Sequence, residues 1–476
     1  MIIKPAQDFE VPGDAPFRND ALHRKENAEV LTTLVGNVNE PFVLSMNASY
    51  GSGKTTFLRM WRQHLLNEKF ACILVNAWES DYIEDPLAAI LGALQEALDQ
   101  HATKNAKTKK LYGHLKKVGA AVVSRGIPLA VRLATAGVID DKVIEGGALA
   151  DHAEKYASEL IDSYRNGKDS LNKFKASLKD YIASLSDPGD GEKSKPLVIM
   201  VDDLDRCRPN YALEYLERIK HLFHIDSVVF ILSYDKKQLA STLRTIYGSK
   251  LNVDEYLRKF IDLEYLLPKP DNESFVNLQF KKHNLDAYFT SRRTSHSSSD
   301  DGDSIKRIMI ALFNIFGLPL RAQEHCFIQL SIVTKTTPHN QHLLPFLLAP
   351  LLAIKIANND LYRKFIDNQV SYKDVLRCIK SEQGRSNFLD THDENIIEAY
   401  LASCSVTRER GMGDLLKEYE NSVLSKDERA AEVYDILRSI QHNFSGFPLP
   451  LRYIARKMEI LEKFHDFTGA ENNNNH

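Results

Sequence analysis

The amino-acid sequence predicts an α/β fold, in which a doubly wound parallel sheet is followed by a mostly helical C-terminal lid and helical domain. Up to Pro268, short apolar runs rich in β-branched residues alternate with segments of helical apolar spacing, as in parallel α/β sheets. Beyond Pro268, strand patterns become rare and helical spacing dominates. The length of 476 residues corresponds to roughly three domains of about 150 residues each, so we expect large apolar cores.

The predicted elements follow one another in a regular order. Strands are predicted where short apolar runs are bounded by turn residues, at residues 41–44, 71–75, 197–201 and 227–232. Helices are predicted where apolar residues recur with helical spacing, at residues 55–66, 86–98 and 211–223. The same spacing predicts C-terminal helices at residues 305–316, 324–332, 343–357 and 427–440.

These elements and the turn-rich breaks between them divide the chain into five segments. They are the two halves of the sheet domain at residues 1–100 and 196–270, a helical insertion at 101–195, a helical lid at 271–340 and a C-terminal helical domain at 341–476. Within the lid, residues 291–304 contain no apolar side chain. We expect a mobile loop there, because no apolar burial offsets the entropy lost on ordering.

The composition excludes several classes of protein. The chain has 61 Lys and Arg against 64 Asp and Glu, a net charge of −3, so any nucleic-acid site must be a local patch. Hydrophobic residues at 43% and charged residues at 26% exclude a collagen-like, disordered or wholly membrane-embedded chain. Five scattered cysteines without a close CxxC pair argue against a disulfide framework or a zinc site. Since the N-terminus also lacks the apolar core of a signal peptide, we expect a cytoplasmic protein.

An apolar stretch in the insertion, residues 118–139, approaches the length of a membrane span. It follows a basic run that contains Lys104, Lys107, Lys109, Lys110, Lys116 and Lys117. Arg125 and Arg132 interrupt the stretch, and each arginine costs about 3 kcal/mol at the centre of a span. We therefore expect a buried helical hairpin that turns near residues 126–128, and no transmembrane span. A peripheral membrane contact or a docking surface is the alternative.

A glycine-containing loop, ASYGSGKT at residues 48–55, follows the first predicted strand and opens the first predicted helix. Its glycines let the backbone curl with N–H groups inward, and the helix N-terminus adds partial positive charge, so this arrangement suits a polyphosphate. Lys54 would hold the β- and γ-phosphates, and the Thr55 hydroxyl would ligate Mg²⁺. Ala48 stands where the general pattern has glycine, and we expect it to be tolerated if its φ is negative.

Two carboxylates, Asp202 and Asp203, end the third predicted strand. Strand ends of a parallel sheet share one edge, so we expect both to lie beside the glycine loop. Asp202 would support Mg²⁺ through a water molecule, and Asp203 would orient or deprotonate the attacking water. Arg206 either neutralises γ-phosphate charge, within the chain or across a subunit interface, or pairs with Asp205 at the surface.

At these motifs the sequence resembles the KAP family of P-loop NTPases, within the signal-transduction ATPase group that also resembles AAA+ proteins. The resemblance covers residues 18–335 and rests on the strings RNDALHR (18–24), ASYGSGKTTFL (48–58), VNAW (75–78), VDDLDRCRP (201–209), VVFILSYD (228–235) and EYLRKFID (255–262). It implies a P-loop NTPase fold. Many members of the family insert transmembrane helices between the glycine loop, called Walker A, and the strand that ends in the carboxylates, called Walker B. Residues 118–139 lie in that interval. With two arginines in that stretch, this chain looks like a soluble variant.

The resemblance also implies roles for individual residues. Ser233 and Asp235 match the region that senses γ-phosphate, and the segment 20–24 would lie near the adenine. Arg258 and Lys259 match the basic positions ahead of the lid, where one side chain would reach the nucleotide of a neighbouring subunit, as an arginine finger does. Arg321 resembles the lid arginine that closes over nucleotide. Residues expected to contact nucleotide are Tyr50, Gly51, Ser52, Gly53, Lys54, Thr55, Thr56 and Ser233. Those expected to act in catalysis are Lys54, Asp203, Arg206, Arg258 and Arg321, and those expected to hold metal are Thr55 and Asp202.

The resulting hypothesis is Mg²⁺-dependent hydrolysis of a nucleoside triphosphate, with ATP the expected nucleotide, coupled to a conformational change or to assembly as a homo-oligomer. One alternative is a slow regulatory switch that binds nucleotide and recruits a partner protein, which steady turnover without a partner would exclude. A weaker alternative, based on the lysine run alone, is a motor that acts on nucleic acid. Resemblance to bacterial family members suggests a role in anti-phage defence.

Overall fold

The computed structural model describes residues 10–83, 85–101, 106–125, 169–184, 195–222, 225–269, 271–292, 301–338, 343–383, 389–404, 411–424, 428–443 and 451–459. The chain divides into two compact units. One is Phe9–Lys269, here called the sheet unit, and the main part of the other is Pro270–His476, here called the helical unit. The domain boundaries expected from the sequence stay predictions.

The sheet unit contains five parallel strands in the spatial order β2-β3-β4-β1-β5. The strands are β1 (Phe42–Asn47), β2 (Ala71–Asn76), β3 (Leu197–Asp202), β4 (Val228–Tyr234) and β5 (Leu263–Leu266). The predicted α/β class and the four predicted strands are confirmed, each strand reaching one to three residues further at its carboxyl end. Because β4 lies between β1 and β3, the loop after β1 and the carboxylates after β3 lie on either side of the end of β4.

Every residue of β3 and β4 is buried, because helices cover both faces of the sheet. Successive side chains of a strand point to opposite faces, so β3 contributes to two cores. Ile199 and Val201 pack in one core, and Val198 and Met200 pack in the other. The sheet is therefore doubly wound, as predicted.

The first helix of the sheet unit precedes the first strand in sequence, and the other helices lie between strands. They are α1 (Lys25–Gly36), α2 (Lys54–Asn67), α3 (Pro86–His101), α4 (Ala106–Arg125), α5 (residues 169–184), α6 (Pro209–Leu222), α7 (Lys236–Tyr247) and α8 (Val253–Leu257). Helices α1 and α2 contribute to the core that contains Val198 and Met200, and α3 to α7 contribute to the core that contains Ile199 and Val201. The helices expected at residues 55–66, 86–98 and 211–223 correspond to α2, α3 and α6.

In the insertion, α4 and α5 pack against each other and against α3. The rings of Tyr112 and Tyr181 are 5.8 Å apart, and Thr108 donates to the carbonyl of Ser184. Gly119 marks the closest approach, because a Cβ there would lie 2.5 Å from Leu91 in α3. The hairpin expected to turn near residues 126–128 lies outside the described residues. In the part of the chain that is described, no helix combines the length and apolar character needed to cross a membrane.

The regular secondary structure described in the helical unit is all helical. They are α9 (Asn272–Lys282), α10 (Leu285–Arg292), α11 (Asp301–Ile315), α12 (Leu320–Thr336), α13 (Pro345–Ala357), α14 (Asn359–Ile366), α15 (Tyr372–Gln383), α16 (Thr391–Cys404), α17 (Met412–Leu424), α18 (Glu428–Asn443) and α19 (Leu451–Met458). Their apolar faces share one core. The prediction of a mostly helical C-terminal part is confirmed.

The range 291–304, predicted to be a mobile loop, is helical at both ends. Ser291 and Arg292 end α10, and Asp301 to Ser304 form the first turn of α11. Two acidic residues in that turn favour a helix N-terminus, because the helix dipole attracts negative charge there. The loop prediction was wrong for these six residues, and residues 293–300 lie outside the described part of the chain.

Candidate functional site

Polar residues follow three strands at one edge of the sheet. Strand β1 ends at Asn47, which pairs in register with Tyr234 at the end of β4. Strand β3 ends at Asp202. The carboxyl ends of parallel strands meet at the same edge, so the segments after β1, β3 and β4 converge there. This edge contains most of the residues that the sequence singled out.

The loop after β1, residues 48–53, depends on glycine at two positions. Gly51 has φ 73° and Gly53 has φ 83°, in the left-handed region that glycine adopts without a steric penalty. Gly53 is also the N-cap of α2, and no side chain donates or accepts a capping hydrogen bond there. Ala48, the departure from the glycine pattern, is buried and is not among the residues with positive φ, so alanine fits its backbone.

Lys54, the first residue of α2, has a buried side chain that turns back over this loop. Its Nζ donates to the carbonyl oxygens of Ala48 at 2.8 Å and of Ser49 at 3.4 Å. The ammonium group therefore lies inside the curve of the loop, where carbonyl dipoles stabilise its charge. Thr55 and Thr56 follow in the first turn of α2 and are partly exposed.

Arg24 holds the same loop from its other side. Its guanidinium donates to the carbonyls of Ser52 at 2.8 Å and of Gly53 at 3.3 Å, and to that of Pro268 at 3.4 Å. Asp20 holds the backbone of Arg24 in place, because its carboxylate accepts a hydrogen bond from the backbone N–H of Arg24. Burial lowers the pKa of Arg24 to about 10, and nearby Asp20 raises it, so the side chain is cationic at neutral pH. The segment expected near an adenine thus contributes a side chain that positions the loop.

We expect Arg24→Ala to raise the dissociation constant for Mg²⁺-ATP about tenfold, because charge-assisted hydrogen bonds to two loop carbonyls are lost. Arg24→Lys should recover only part of the affinity, since an ammonium does not reproduce the planar fork. Titration calorimetry measures both. Arg18→Ala is the matched control, because Arg18 is exposed and pairs with the equally exposed Asp14, away from the loop. Equal affinity in the Arg24 and Arg18 variants would contradict the positioning role.

Asp235 joins the end of β4 to the glycine loop. Its Oδ2 accepts from the backbone N–H of Tyr50 at 3.1 Å, while its Oδ1 accepts from that of Lys237 and caps α7. Ser233, two residues earlier, is fully buried, and its Oγ has no hydrogen-bond partner among the described residues. A buried hydroxyl without a partner is costly, so this position suits contact with a polar ligand.

Three carboxylates lie at the end of β3: Asp202 is its last residue, and Asp203 and Asp205 follow it. Asp202 is only 2% exposed, and neither of its carboxylate oxygens has a hydrogen-bond partner within the described ranges. Asp203 adopts φ 58°, which turns its side chain away from the strand direction. Burial, with the adjacent charge of Asp202, raises the pKa of Asp203 to about 6 against the opposing effect of Arg206. Burial also raises the pKa of Asp205.

Arg206 lies next to Asp203 and near the rings of two aromatic residues. Its Nε is 3.1 Å from Oδ1 of Asp203. The centre of the guanidinium is 4.6 Å from the ring of Tyr50 and 5.6 Å from the ring of Trp78. Arg206 therefore pairs with Asp203 rather than with Asp205, and its expected roles toward the γ-phosphate stay predictions. It pairs with a carboxylate of the same chain.

The residues expected to hold Mg²⁺ fit a magnesium site. Mg²⁺ prefers oxygen ligands and keeps several waters, so it needs few protein ligands. The buried oxygens of Asp202 and the buried Oγ of Ser52 have no hydrogen-bond partner among described residues. Thr55 lies in the first turn of α2, next to the loop. These oxygens, rather than a cluster of His, Cys, Asp and Glu, are the donor set that the chain offers at this edge; no such cluster occurs in the described ranges.

The other two predicted arginines are exposed. Arg258 caps the C-terminus of the short helix α8 and is exposed. Arg321 is exposed in the first turn of α12, which belongs to the helical unit. Sequence reasoning missed the loop contacts of Arg24 and the packing of Trp78 on Arg206. Both residues stand in strings that carry the family resemblance, RNDALHR and VNAW, and that was the available signal.

A family model described as the KAP family P-loop domain matches residues 24–340, about two thirds of the chain. The chain belongs to the KAP family. The glycine loop, the parallel sheet and the carboxylates after β3 are therefore parts of a P-loop NTPase domain, and the family resemblance seen in the sequence is confirmed. None of the curated proteins matches the chain significantly.

Several solved structures show a distant likeness. The Aeropyrum pernix ORC2 protein with ADPNP and ADP has 12% sequence identity and a TM-score of 0.30, covering 84% of this chain and 80% of that one. Its ADP form has 10% identity and a TM-score of 0.29, covering 96% of both chains. Drosophila ORC bound to DNA has 11% identity and a TM-score of 0.31, covering 94% of this chain and 88% of that one. Scores this low carry no conclusion for this chain.

Proposed function

We propose that this KAP-family protein hydrolyses a nucleoside triphosphate, with ATP as the expected nucleotide and Mg²⁺ as the expected cation. The observation that carries the proposal is the set of groups at one sheet edge. The cationic Lys54 lies inside the glycine loop, and the oxygens of Asp202 and Ser233 are buried without hydrogen-bond partners among described residues. Such unsatisfied groups suit a ligand with both negative charge and a bound cation.

Each group has a distinct role in this proposal. The amides of the glycine loop and Lys54 neutralise the β- and γ-phosphates, with Tyr50, Gly51, Ser52, Gly53 and Thr56 lining the loop and the first helical turn. Thr55 and Asp202 hold the magnesium ion, which supplies positive charge for the phosphate oxygens. Asp203 orients the attacking water and accepts its proton, and its raised pKa brings it closer to the range of an effective base. Ser233 contacts the terminal phosphate.

The direct test is release of inorganic phosphate from Mg²⁺-ATP by the purified chain, measured alongside its mass with and without nucleotide. We expect turnover that requires Mg²⁺ and is lost with EDTA. Release no faster than that of a Lys54→Ala preparation would contradict the proposal. Comparing ATP with GTP at equal concentrations identifies the preferred base.

A slow regulatory switch is the second candidate. The ion pair between Arg206 and Asp203 favours it, because a carboxylate paired with a guanidinium is a poorer base for water. In that case a partner protein would accelerate turnover by changing this contact, and nucleotide would act by shifting the population between two states. Turnover that stays constant as the protein is diluted, without any added partner, would argue against the switch.

Assembly is part of the proposal. Arg258 is exposed, so it can reach a neighbouring subunit of a homo-oligomer, and Arg321 is exposed on the helical unit as the candidate for closing over nucleotide. An arginine finger contributes about 10³ to 10⁵ in rate.

We place the protein in the cytoplasm, and a part in bacterial anti-phage defence is proposed from the family alone.

The insertion suggests a surface for a polyanion. Helix α4 contains no Asp or Glu. Its exposed face presents Lys109, Lys110, Lys116 and Lys117, and none of these has an ion pair among the described residues. Among residues 108–122 of this helix, the other exposed residues are Gly113, His114 and Ala120, and none of them has a large apolar side chain that could enter a bilayer. A nucleic-acid backbone therefore suits this face better than a lipid surface, which needs both charge and apolar contact.

We expect duplex DNA of mixed sequence to bind weakly and to dissociate as salt rises, and we expect Lys116→Glu with Lys117→Glu to weaken binding about tenfold. Fluorescence anisotropy over a salt series measures this. Lys69→Glu with Lys250→Glu, at two exposed lysines elsewhere on the sheet unit, is the matched control for net charge. Equal loss in both double variants, or tighter association with phosphatidylserine vesicles than with DNA, would contradict a nucleic-acid surface.

A further inference from the structure

Arg206 is held by three segments that follow different strands. Tyr50 lies in the loop after β1, Trp78 follows β2, and Asp203 follows β3. The guanidinium therefore lies across the carboxyl edge of the sheet, at the glycine loop and over the carboxylates. A cation near an aromatic ring is attracted by the electrons of the ring face, and this attraction uses none of its N–H donors, so the two rings restrict the position of Arg206 without taking up its hydrogen bonds.

The contact with Asp203 leaves Arg206 incompletely satisfied. The Nε atom is 3.1 Å from the carboxylate, yet it is buried and lacks a hydrogen bond of proper geometry to any described residue. The carboxylate therefore attracts the guanidinium by charge alone. A ligand oxygen that met this donor in line would gain a charge-assisted hydrogen bond that Asp203 does not provide.

The charges around the site also favour an exchange of partners. Three carboxylates, Asp202, Asp203 and Asp205, face the cations Lys54 and Arg206. Lys54 is bound to loop carbonyls, so Arg206 is the cation that already pairs with a carboxylate. A triphosphate bound along the glycine loop adds negative charge next to Tyr50, within one side-chain length of this guanidinium. A diphosphate lacks the terminal group and adds no charge at that end.

We propose that Arg206 distinguishes nucleoside triphosphate from diphosphate within its own chain, by exchanging Asp203 for the terminal phosphate. Tyr50 and Trp78 hold the guanidinium on its path between the two anions, and Asp203, once released, is free to orient the attacking water. This inference rests on the proposed nucleotide-hydrolysing function. It assigns to Arg206 a role in cis and leaves Arg258 as the candidate for a role in trans.

The chain contains its own optical probe for this exchange. It has two tryptophans, and Trp61 is fully buried while Trp78 is 50% exposed under the guanidinium. Movement of Arg206 changes the charge over the Trp78 ring, so Trp78 fluorescence should respond to the terminal phosphate. The experiment titrates the purified chain with Mg²⁺ and either the non-hydrolysable analogue AMPPNP or ADP, following tryptophan fluorescence and measuring both affinities by calorimetry.

We expect AMPPNP to change the fluorescence and ADP to leave it nearly unchanged, with the response absent in Trp78→Phe. In Arg206→Ala the affinity for AMPPNP relative to ADP should fall about tenfold, and Arg206→Lys should restore part of that preference, because charge is kept without the fork. Arg208→Ala is the matched control, since Arg208 is exposed, lies two residues away and pairs with Asp81. It should retain the wild-type preference.

Two results would overturn the inference while leaving the proposed function intact. One is an unchanged preference for AMPPNP over ADP in Arg206→Ala with nucleotide binding preserved. The other is recovery of the preference when Arg206→Ala protein is mixed with Lys54→Ala protein, which would show that the arginine acts across subunits. Failure of the wild-type chain to bind either nucleotide would instead refute the proposed function itself, so the two failures are distinguishable.

Discussion

Replacing Lys54 with alanine should abolish nucleotide hydrolysis, reducing phosphate release by about 10²-fold or more, and should weaken triphosphate binding. Lys54 is buried within the curve of the glycine loop, and its Nζ contacts carbonyl oxygens of Ala48 and Ser49. The loop therefore holds the cation where we expect the phosphate charge to bind. Alanine removes that charge while leaving the backbone of α2 free to form, because alanine is a strong helix former.

The matched control is Lys237→Ala. Lys237 is an exposed lysine in the first turn of α7, next to Asp235 at the same sheet edge, so it tests whether any nearby cation suffices. We expect this variant to keep wild-type turnover and affinity. Phosphate release and calorimetric titration with Mg²⁺-AMPPNP measure the two effects. Wild-type binding and turnover in Lys54→Ala would remove the basis for assigning the glycine loop to phosphate.

The parts of the fold that sequence predicted are those with strong local signals. Strands β1 to β4 are apolar runs, and every residue of β3 and β4 is buried between helices on both faces. Strand β5 gave no such signal. It has four residues, it pairs along one edge only, and Leu266 is largely exposed. Its position is set by pairing with β1, a long-range contact that no local pattern contains.

The candidate site divides in the same way. The glycine loop, Lys54 and the carboxylates after β3 were predictable because each stands in a short motif whose chemistry is local. The contact of Arg24 with Ser52 joins residues 28 positions apart, and it follows from the way α1 enters the fold. Residue spacing likewise gave no reason to place Trp78 over Arg206, because the two meet only when β2 and β3 pair.

The second large effect concerns Asp203, where activity and stability should change in opposite directions. Asp203→Asn should slow hydrolysis by about 10² to 10⁴, because the amide keeps the size of the side chain but loses the charge that orients or activates water. Affinity for Mg²⁺-AMPPNP should persist. If binding collapses instead, and Asp202→Asn is the tolerated change, then the two aspartates have the reverse roles.

The stability change follows from the raised pKa. Asp203 has a pKa of about 6 in the folded chain against 3.8 ordinarily, so the folded state holds its proton more tightly than the unfolded state. The contribution of Asp203 to the free energy of unfolding is therefore fully present below a pH of about 3.8. It is lost as the pH rises through about 6, and the total loss is about 3 kcal/mol. Asparagine resembles the protonated acid at every pH. The variant should therefore be more stable than wild type by up to about 3 kcal/mol near pH 8, and by less than about 1 kcal/mol near pH 4.

Urea unfolding in EDTA without nucleotide, at about pH 8 and about pH 4, measures this difference in the free energy of unfolding. Asp226→Asn is the control, because Asp226 is an exposed carboxylate that pairs with exposed Lys179 and should change stability little at either pH. A carboxylate that only supports the fold would lose stability when replaced. Gain of stability together with loss of turnover would instead mark Asp203 as a charge kept buried at the expense of the fold, because the reaction needs a base at that place. Loss of stability near pH 8 would contradict that interpretation and would leave Asp203 a structural partner of Arg206.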